Sequence, residues 1–164
     1  MSSRLALEEA KTEILRRWQE SILLTLPEKS RALVAGNQDR FANPLGHVLL
    51  TGAREVLDAL MAGDRPEALQ KALERIVRLS AVQENPLAGS GAYLSQLRDV
   101  VAEYGQGVGG EPEQARQIRL LEERITTAAA QAHHMYEESR KKIEQLKGRE
   151  VWKNTHMLRR LAGS

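Results

Sequence analysis

The sequence predicts an all-α protein, a single-domain helical bundle that ends in a long C-terminal helix. Helix-favouring residues (Ala, Leu, Glu, Arg, Gln and Lys) dominate the composition, and only 4% of residues are aromatic. Apolar residues recur at steps of three and four along most of the chain. Two Asn-Pro-Leu triplets, at 43–45 and 85–87, indicate helix starts, because Asn caps the first turn and Pro fits the first helical position.

A length of 164 residues suits one domain, so we expect a single helical domain over residues 1–164. Its core should cover about residues 4–147, followed by a basic helical tail over about residues 148–164. The first helix should run from Ser3 to about Leu26, where apolar residues share one face. After Pro27, residues 28–35 support at most a short helix, and residues 36–39 form a turn or loop.

Proline and glycine mark the next two helices. The second should run from Pro44 to about Met61, and Gly63 should close it, because the residue after a helix often needs a positive φ. Asp64 should cap the third helix, which has Pro66 in its first turn and ends near Gln83.

The fourth helix should open at Asn85-Pro86 and end near Tyr104. Four glycines in residues 105–110 predict a linker, since glycine is costly in a helix. The last helix should run from Pro112 to about Leu161, with Gly148 as a candidate bend. A helix of this length exceeds a small domain, so its end either folds back on the core or projects.

Charge and cysteine content exclude several classes of function. The net charge of +2 implies no strong global field. The absence of Cys excludes disulfides, thiolate metal sites and cysteine nucleophiles. The start of the sequence lacks the apolar core of a signal peptide, and no run approaches the ~18 apolar residues that span a bilayer. We therefore expect a cytoplasmic protein without membrane insertion.

The candidate reactive side chains form no recognisable site. His133 and His134 point about 100° apart on a helix and cannot chelate one ion together, and His134 with Glu138 supplies only two ligands. The third helix has no His to ligate a haem. The G-x-G-x-x-G pattern in residues 105–110 lacks the preceding strand that nucleotide binding needs. We expect no enzyme activity, no metal and no cofactor.

The C-terminal tail is strongly basic. Eight Lys or Arg residues lie between Arg140 and Arg160, against Glu144 and Glu150. Such a helix could bind phosphates, which makes nucleic-acid binding one alternative function. Aromatic residues for base stacking are missing apart from Trp152, so we do not expect nucleic acid as a partner and favour a solvated or protein-docking face.

Two segments carry a resemblance to a known family. They are Arg40-Phe41-Ala42-Asn43-Pro44-Leu45-Gly46 and Leu73-Glu74-Arg75-Ile76-Val77-Arg78-Leu79-Ser80-Ala81-Val82-Gln83. Both resemble the N-terminal domain of RsbR-type stressosome proteins, as do the Leu94, Leu97, Val100, Val101 helix and Tyr136-Glu137-Glu138-Ser139-Arg140. The family's C-terminal STAS domain has no counterpart in these 164 residues.

The resemblance implies a globin-like fold without haem, usually dimeric, in a sensory or interaction module. We therefore expect a non-enzymatic bacterial signalling module that forms a homodimer through its first and last helices and binds a further, unidentified protein. Arg75 and Arg78 border an apolar stripe that suits either a plain amphipathic helix or a dimer face. The expected interface residues are Arg75, Arg78, Tyr136 and Arg140.

The alternative from another class is a receptor for a small ligand such as haem or a lipid-like molecule. Helical folds of this kind can open a pocket between helices. The expected lining residues are Trp18, Val48, Leu49, Ile76, Val77, Leu97 and Tyr136.

Overall fold

The computed structural model describes residues 2–25, 44–82, 92–107 and 111–162, with side chains from residue 7 onward in the first range and residue 46 onward in the second. These residues form five α-helices and contain no strand, which confirms the all-α prediction. The helices are α1 (Ser2–Thr25), α2 (Pro44–Ala62), α3 (Pro66–Val82), α4 (Ala92–Gly107) and α5 (Pro112–Ala162).

Three of the five helices begin at a proline. Pro44, Pro66 and Pro112 are the first residues of α2, α3 and α5; the starts at Pro44 and Pro112 are as predicted, and Pro66 was predicted to lie within the first turn. The ring fixes φ near its helical value, and the missing N–H would have had no partner within the first turn. The predicted short helix of residues 28–35 and the Asn85-Pro86 start lie outside the described residues.

A tight turn joins α2 to α3. Gly63 has φ 73° and donates its N–H to the carbonyl of Ala59 at 3.1 Å, which is the left-handed helix ending that the sequence predicts. At the start of α3, the Leu69 N–H bonds the carbonyl of Arg65 at 3.1 Å. Arg65 thus occupies the capping position, and the predicted cap, Asp64, lies one residue earlier.

The end of α4 departs from the prediction of a linker over residues 105–110. The helix continues through Gly105 and ends at Gly107. A Cβ atom at position 105 would lie 3.1 Å from Cγ2 of Ile118 in α5. The glycine therefore allows α4 and α5 to approach closely, and this tertiary contact outweighs the low helix propensity of glycine.

The five helices form a closed ring. Helix α1 packs on α2 and α4, α3 packs on α2 and α5, and α5 packs on α4. The core consists of aliphatic side chains and two large aromatic residues, Trp18 and Tyr93. Its largest fully buried side chains are Trp18, Tyr93, Ile14, Ile22, Leu49, Leu57, Leu60, Leu73, Ile76, Leu94, Leu97 and Ile125.

Only the first part of α5 belongs to this core. The helix has 51 residues, which corresponds to about 76 Å. Its buried residues are Leu121, Ile125, Ala128 and Ala132, and Ile143 is the last residue that is not exposed. From Glu144 to Ala162 every side chain is exposed, so the end of α5 projects and does not fold back. We call residues 141–162 the tail helix.

Candidate functional site

The residues predicted to line a pocket lie in the packed core. Five of the seven are at most 2% exposed: Trp18, Leu49, Ile76, Val77 and Leu97. The other two, Val48 and Tyr136, are half-buried and pack against the core. None of the seven lines any of the clefts described below. Their side chains pack against one another and against the rest of the core between the helices.

Trp18 and Tyr93 connect three helices inside this core. The Trp18 Nε1–H donates to the carbonyl oxygen of Tyr93 at 3.0 Å, and the Tyr93 hydroxyl donates to the carbonyl oxygen of Leu49 at 2.7 Å. Their ring centroids are 4.7 Å apart in a tilted arrangement. Both buried polar atoms therefore have a hydrogen-bond partner, as burial requires. The two bonds link α1 to α4 and α4 to α2.

Burial also changes the acidity of the Tyr93 phenol. Loss of solvent raises the pKa of Tyr93 well above 10.0, and the negative charge of Glu55 adds to this effect. The folded protein therefore holds the protonated phenol more strongly than the unfolded chain does. The resulting contribution to stability is complete below pH 10, the unfolded pKa, and is lost as pH rises towards the folded pKa.

We expect Tyr93→Phe to remove part of the alkaline loss of stability. At neutral pH the variant should lose about 0.5–1.5 kcal/mol, because one hydrogen bond is gone. Above pH 10 its free energy of unfolding should fall less steeply than that of the original protein, by up to ~1.4 kcal/mol per pH unit. Urea unfolding from pH 8 to pH 11 measures both effects. Tyr104→Phe is the control and should keep the steep decline; equal slopes in Tyr93→Phe and the original protein would contradict the assignment.

The predicted interface residues lie on α3 and α5. Arg75 is exposed and forms an ion pair with Glu55 at 3.3 Å, and Arg78 is also exposed. Both line a shallow depression of about 520 Å³ with Lys71, Glu74, Leu79 and Val82. Tyr136 and Arg140 are half-buried on α5. Arg140 donates from Nη1 to the carbonyl of Ala81 at 3.1 Å, at the end of α3.

A second arginine of α5, which the sequence did not single out, binds the end of α2. Nη1 of Arg124 donates to the carbonyl of Leu60 at 2.9 Å and to that of Met61 at 3.3 Å. The last carbonyls of a helix have no partner within the helix and carry partial negative charge, so a cation is favourable there. Arg124 and Arg140 thus fasten α5 to the ends of α2 and α3.

Two clefts border Arg124. One, of about 610 Å³, lies between the α2–α3 turn and α5 and includes Leu69, Ala128 and Met135. The other, of about 450 Å³, lies between α1, α4 and α5 and includes Ile14, Tyr104 and Leu121. Neither coincides with the predicted pocket residues.

Several of the described titratable groups pair with a residue one turn away on the same helix. His133 and His134 each contact a glutamate one turn later, Glu137 and Glu138, at 3.2 Å. Across the described residues, no three His, Asp or Glu side chains come together as metal ligands. On α1, hydrogen bonds from Arg16 and then Arg17 lower the pKa of Glu13 to about 2. Glu13 is therefore ionised at neutral pH and unsuited to act as a general acid.

The tail helix has an apolar face that continues the line of the buried residues of α5. Successive residues of an α-helix are rotated by about 100° around its axis. On this basis the apolar face covers an arc of about 140° around the helix, centred on the side that carries Ile125. Three polar residues, Lys147, Glu150 and Asn154, lie along its middle. Its apolar members, which are 61% to 72% exposed, are Leu146, Val151, Met157, Leu158 and Leu161.

The opposite side of the tail helix is a basic face. Its six cations are Lys141, Lys142, Arg149, Lys153, Arg159 and Arg160, and all are exposed. Neither Glu144 nor Glu150 falls on this arc of about 120°. Trp152 and His156 lie among the cations with parallel rings, 5.1 Å between centroids and 5° between planes. The charge was visible in the sequence, but the stacked pair was not anticipated.

Neither a protein-family model, nor a curated protein, nor a solved structure matches this chain. Within the helices of the described ranges, none combines the length and the apolar character needed to cross a lipid bilayer.

Proposed function

We propose that this chain is a non-enzymatic sensory or protein-interaction module of the haem-free globin-like type, and that it acts as a homodimer. The observation that carries the proposal is the apolar face of the tail helix. Five large apolar side chains lie there at 61% to 72% exposure, in line with the buried face of the same helix. Exposed apolar surface of this extent favours a protein partner.

The polar residues along the apolar face favour a second copy of the chain as that partner. Lys147 and Glu150 lie almost one turn apart near the middle of the tail helix. If two tail helices pair antiparallel about this point, the lysine of each copy faces the glutamate of the other. In a parallel pair, like charges would face each other across the seam, which is unfavourable.

The sensory part of the proposal is supported by the attachment of α5 to the bundle. Arg124 binds the last carbonyls of α2, and Arg140 binds the carbonyl of Ala81 at the end of α3. Helix α5 then continues into the tail helix without a break at Gly148. A change in the position of α2 or α3 is therefore transmitted to the surface that binds the partner.

We expect Leu158→Glu to weaken the homodimer at least tenfold, because it places a carboxylate within the apolar seam. Light scattering after size-exclusion chromatography at tens of micromolar should show a dimer for the original protein and a shift towards monomer for the variant. Thr155→Glu is the matched control, since it adds the same charge to the same helix outside the apolar face. A strict monomer of the original protein, or an equal shift in both variants, would refute the proposed interface.

A further inference from the structure

We propose that the basic face of the tail helix binds single-stranded nucleic acid, with its cations on the phosphates and Trp152 stacked on a base. This inference does not depend on the proposed function, because it uses the opposite side of the helix. The sequence alone argued against nucleic acid, since aromatic residues for stacking were scarce. The structure places the exposed tryptophan of the chain, stacked on His156, within the cations.

The cations are available for phosphates. All six are exposed, and within the described residues none of them forms an ion pair. Four of the cations fall within an arc of about 40°, so they form one row along the helix axis. The distances along the axis between successive members are about 10, 6 and 10 Å, and the members are Lys142, Arg149, Lys153 and Arg160. With both glutamates off this arc, the face attracts a polyanion along some 28 Å of its length.

The two rings favour unpaired bases over a duplex. Base stacking on an aromatic side chain needs a base that is free of its complementary strand. Trp152 is 65% exposed, so one face of its indole can accept a base in addition to the contact with His156. The phosphates of a duplex could contact the cations, but its paired bases could not stack on Trp152.

A membrane surface fits the tail helix less well. An interfacial helix inserts its apolar face and keeps tryptophan on that face or at its border. Here Trp152 lies opposite the apolar face, and Lys147, Glu150 and Asn154 run along the middle of that face. Insertion would bury three polar side chains and leave the tryptophan in water.

Titration of the 164-residue protein with a 20-nucleotide oligo(dT) tests the proposal. The chain contains two tryptophans, and Trp18 is 0% exposed, so quenching of tryptophan fluorescence reports on Trp152. We expect quenching on binding and a slope of log affinity against log salt of about −4, from ~0.7 per phosphate contact and six cations. The blunt-ended duplex of the same length should bind at least fivefold more weakly and quench less.

Two charge-matched triple variants locate the site. The first triple variant should bind oligo(dT) at least tenfold more weakly; it combines Arg149→Gln, Lys153→Gln and Arg160→Gln. Arg54→Gln with Lys71→Gln and Arg119→Gln removes three exposed cations elsewhere and should change it less than threefold. Trp152→Leu should abolish the quenching and weaken binding about tenfold, measured by anisotropy of a labelled oligonucleotide.

Several outcomes would overturn the inference. The first is that the protein does not bind oligo(dT) at 50 mM salt, or binds the duplex with equal affinity. The second is that both triple variants lose the same amount of oligo(dT) affinity. The third is that the protein binds vesicles of phosphatidylserine and phosphatidylcholine but not oligo(dT). Light scattering of the first triple variant separates this test from that of the homodimer. A dimer with weakened oligo(dT) binding supports both proposals. A monomer with weakened binding contradicts only the homodimer, and a dimer with unchanged binding contradicts only the nucleic-acid site.

Discussion

Trp18→Ala should reduce the free energy of unfolding by about 3–5 kcal/mol, the range measured for large aromatic residues truncated in a core. Trp18 is 0% exposed, packs on the Tyr93 ring at 4.7 Å and donates to the Tyr93 carbonyl at 3.0 Å. Its removal leaves a cavity where α1, α2 and α4 meet. Since domains are stable by about 5–15 kcal/mol, the loss is a large part of the total. Urea unfolding followed by circular dichroism measures it.

The second tryptophan provides the control. Trp152 is 65% exposed on the tail helix, so Trp152→Ala should change the free energy of unfolding by less than about 0.5 kcal/mol. If Trp18→Ala does not fold, Trp18→Phe keeps a ring in place and should lose about 1–3 kcal/mol, mainly through the missing N–H bond and lost volume. Equal stability of the Trp18 and Trp152 variants would contradict the position of Trp18 in the core.

Gly63→Ala should reduce stability by about 2–4 kcal/mol through two separate effects. A φ of 73° costs a residue with a side chain about 1–2 kcal/mol. The new Cβ would also lie 2.5 Å from the Cζ atom of Arg124. The guanidinium would have to move away from the carbonyls of Leu60 and Met61, so the charged hydrogen bonds at the end of α2 would be lost as well. Thermal or urea unfolding gives the size of the loss.

A second glycine and a double variant separate these effects. Gly148 lies within α5 with nothing within 4 Å of an added Cβ, so Gly148→Ala should raise stability by about 0.5–1 kcal/mol. In an Arg124→Met background, Gly63→Ala should cost less than in the original protein, because the contact that it displaces is already absent. Strict additivity of the two substitutions would mean that the guanidinium plays no part.

The helices were largely predictable because their signals are local. The starts at Pro44, Pro66 and Pro112 and the end at Gly63 follow from the backbone chemistry of proline and glycine, which acts within one turn. Gly105 was misassigned to a linker for the opposite reason. Its place in α4 depends on Ile118 of another helix, and no neighbouring residue reveals that contact.

The candidate site was predictable only in part. Helical spacing identified Leu49, Ile76 and Leu97 as inward-facing, but the same spacing describes a packed core and a ligand pocket equally well. The count of cations identified the basic tail. Whether it projects depends on where the bundle ends along α5. The position of Trp152 among the cations follows from helical spacing, but its stacking on His156 does not. The arginine at 124 was missed because its partners are carbonyls some sixty residues away.

The uninterrupted α5 gives the molecule the mechanics of a lever arm. Its fulcrum lies where Arg140 meets the end of α3, and about 28 Å of stiff rod extends from Glu144 to Ala162. A tilt of about 10° at the fulcrum would displace the tip by roughly 5 Å, about the pitch of one helical turn. Small rearrangements in the bundle are thus enlarged, at the far end of the tail helix, to about the rise of one helical turn.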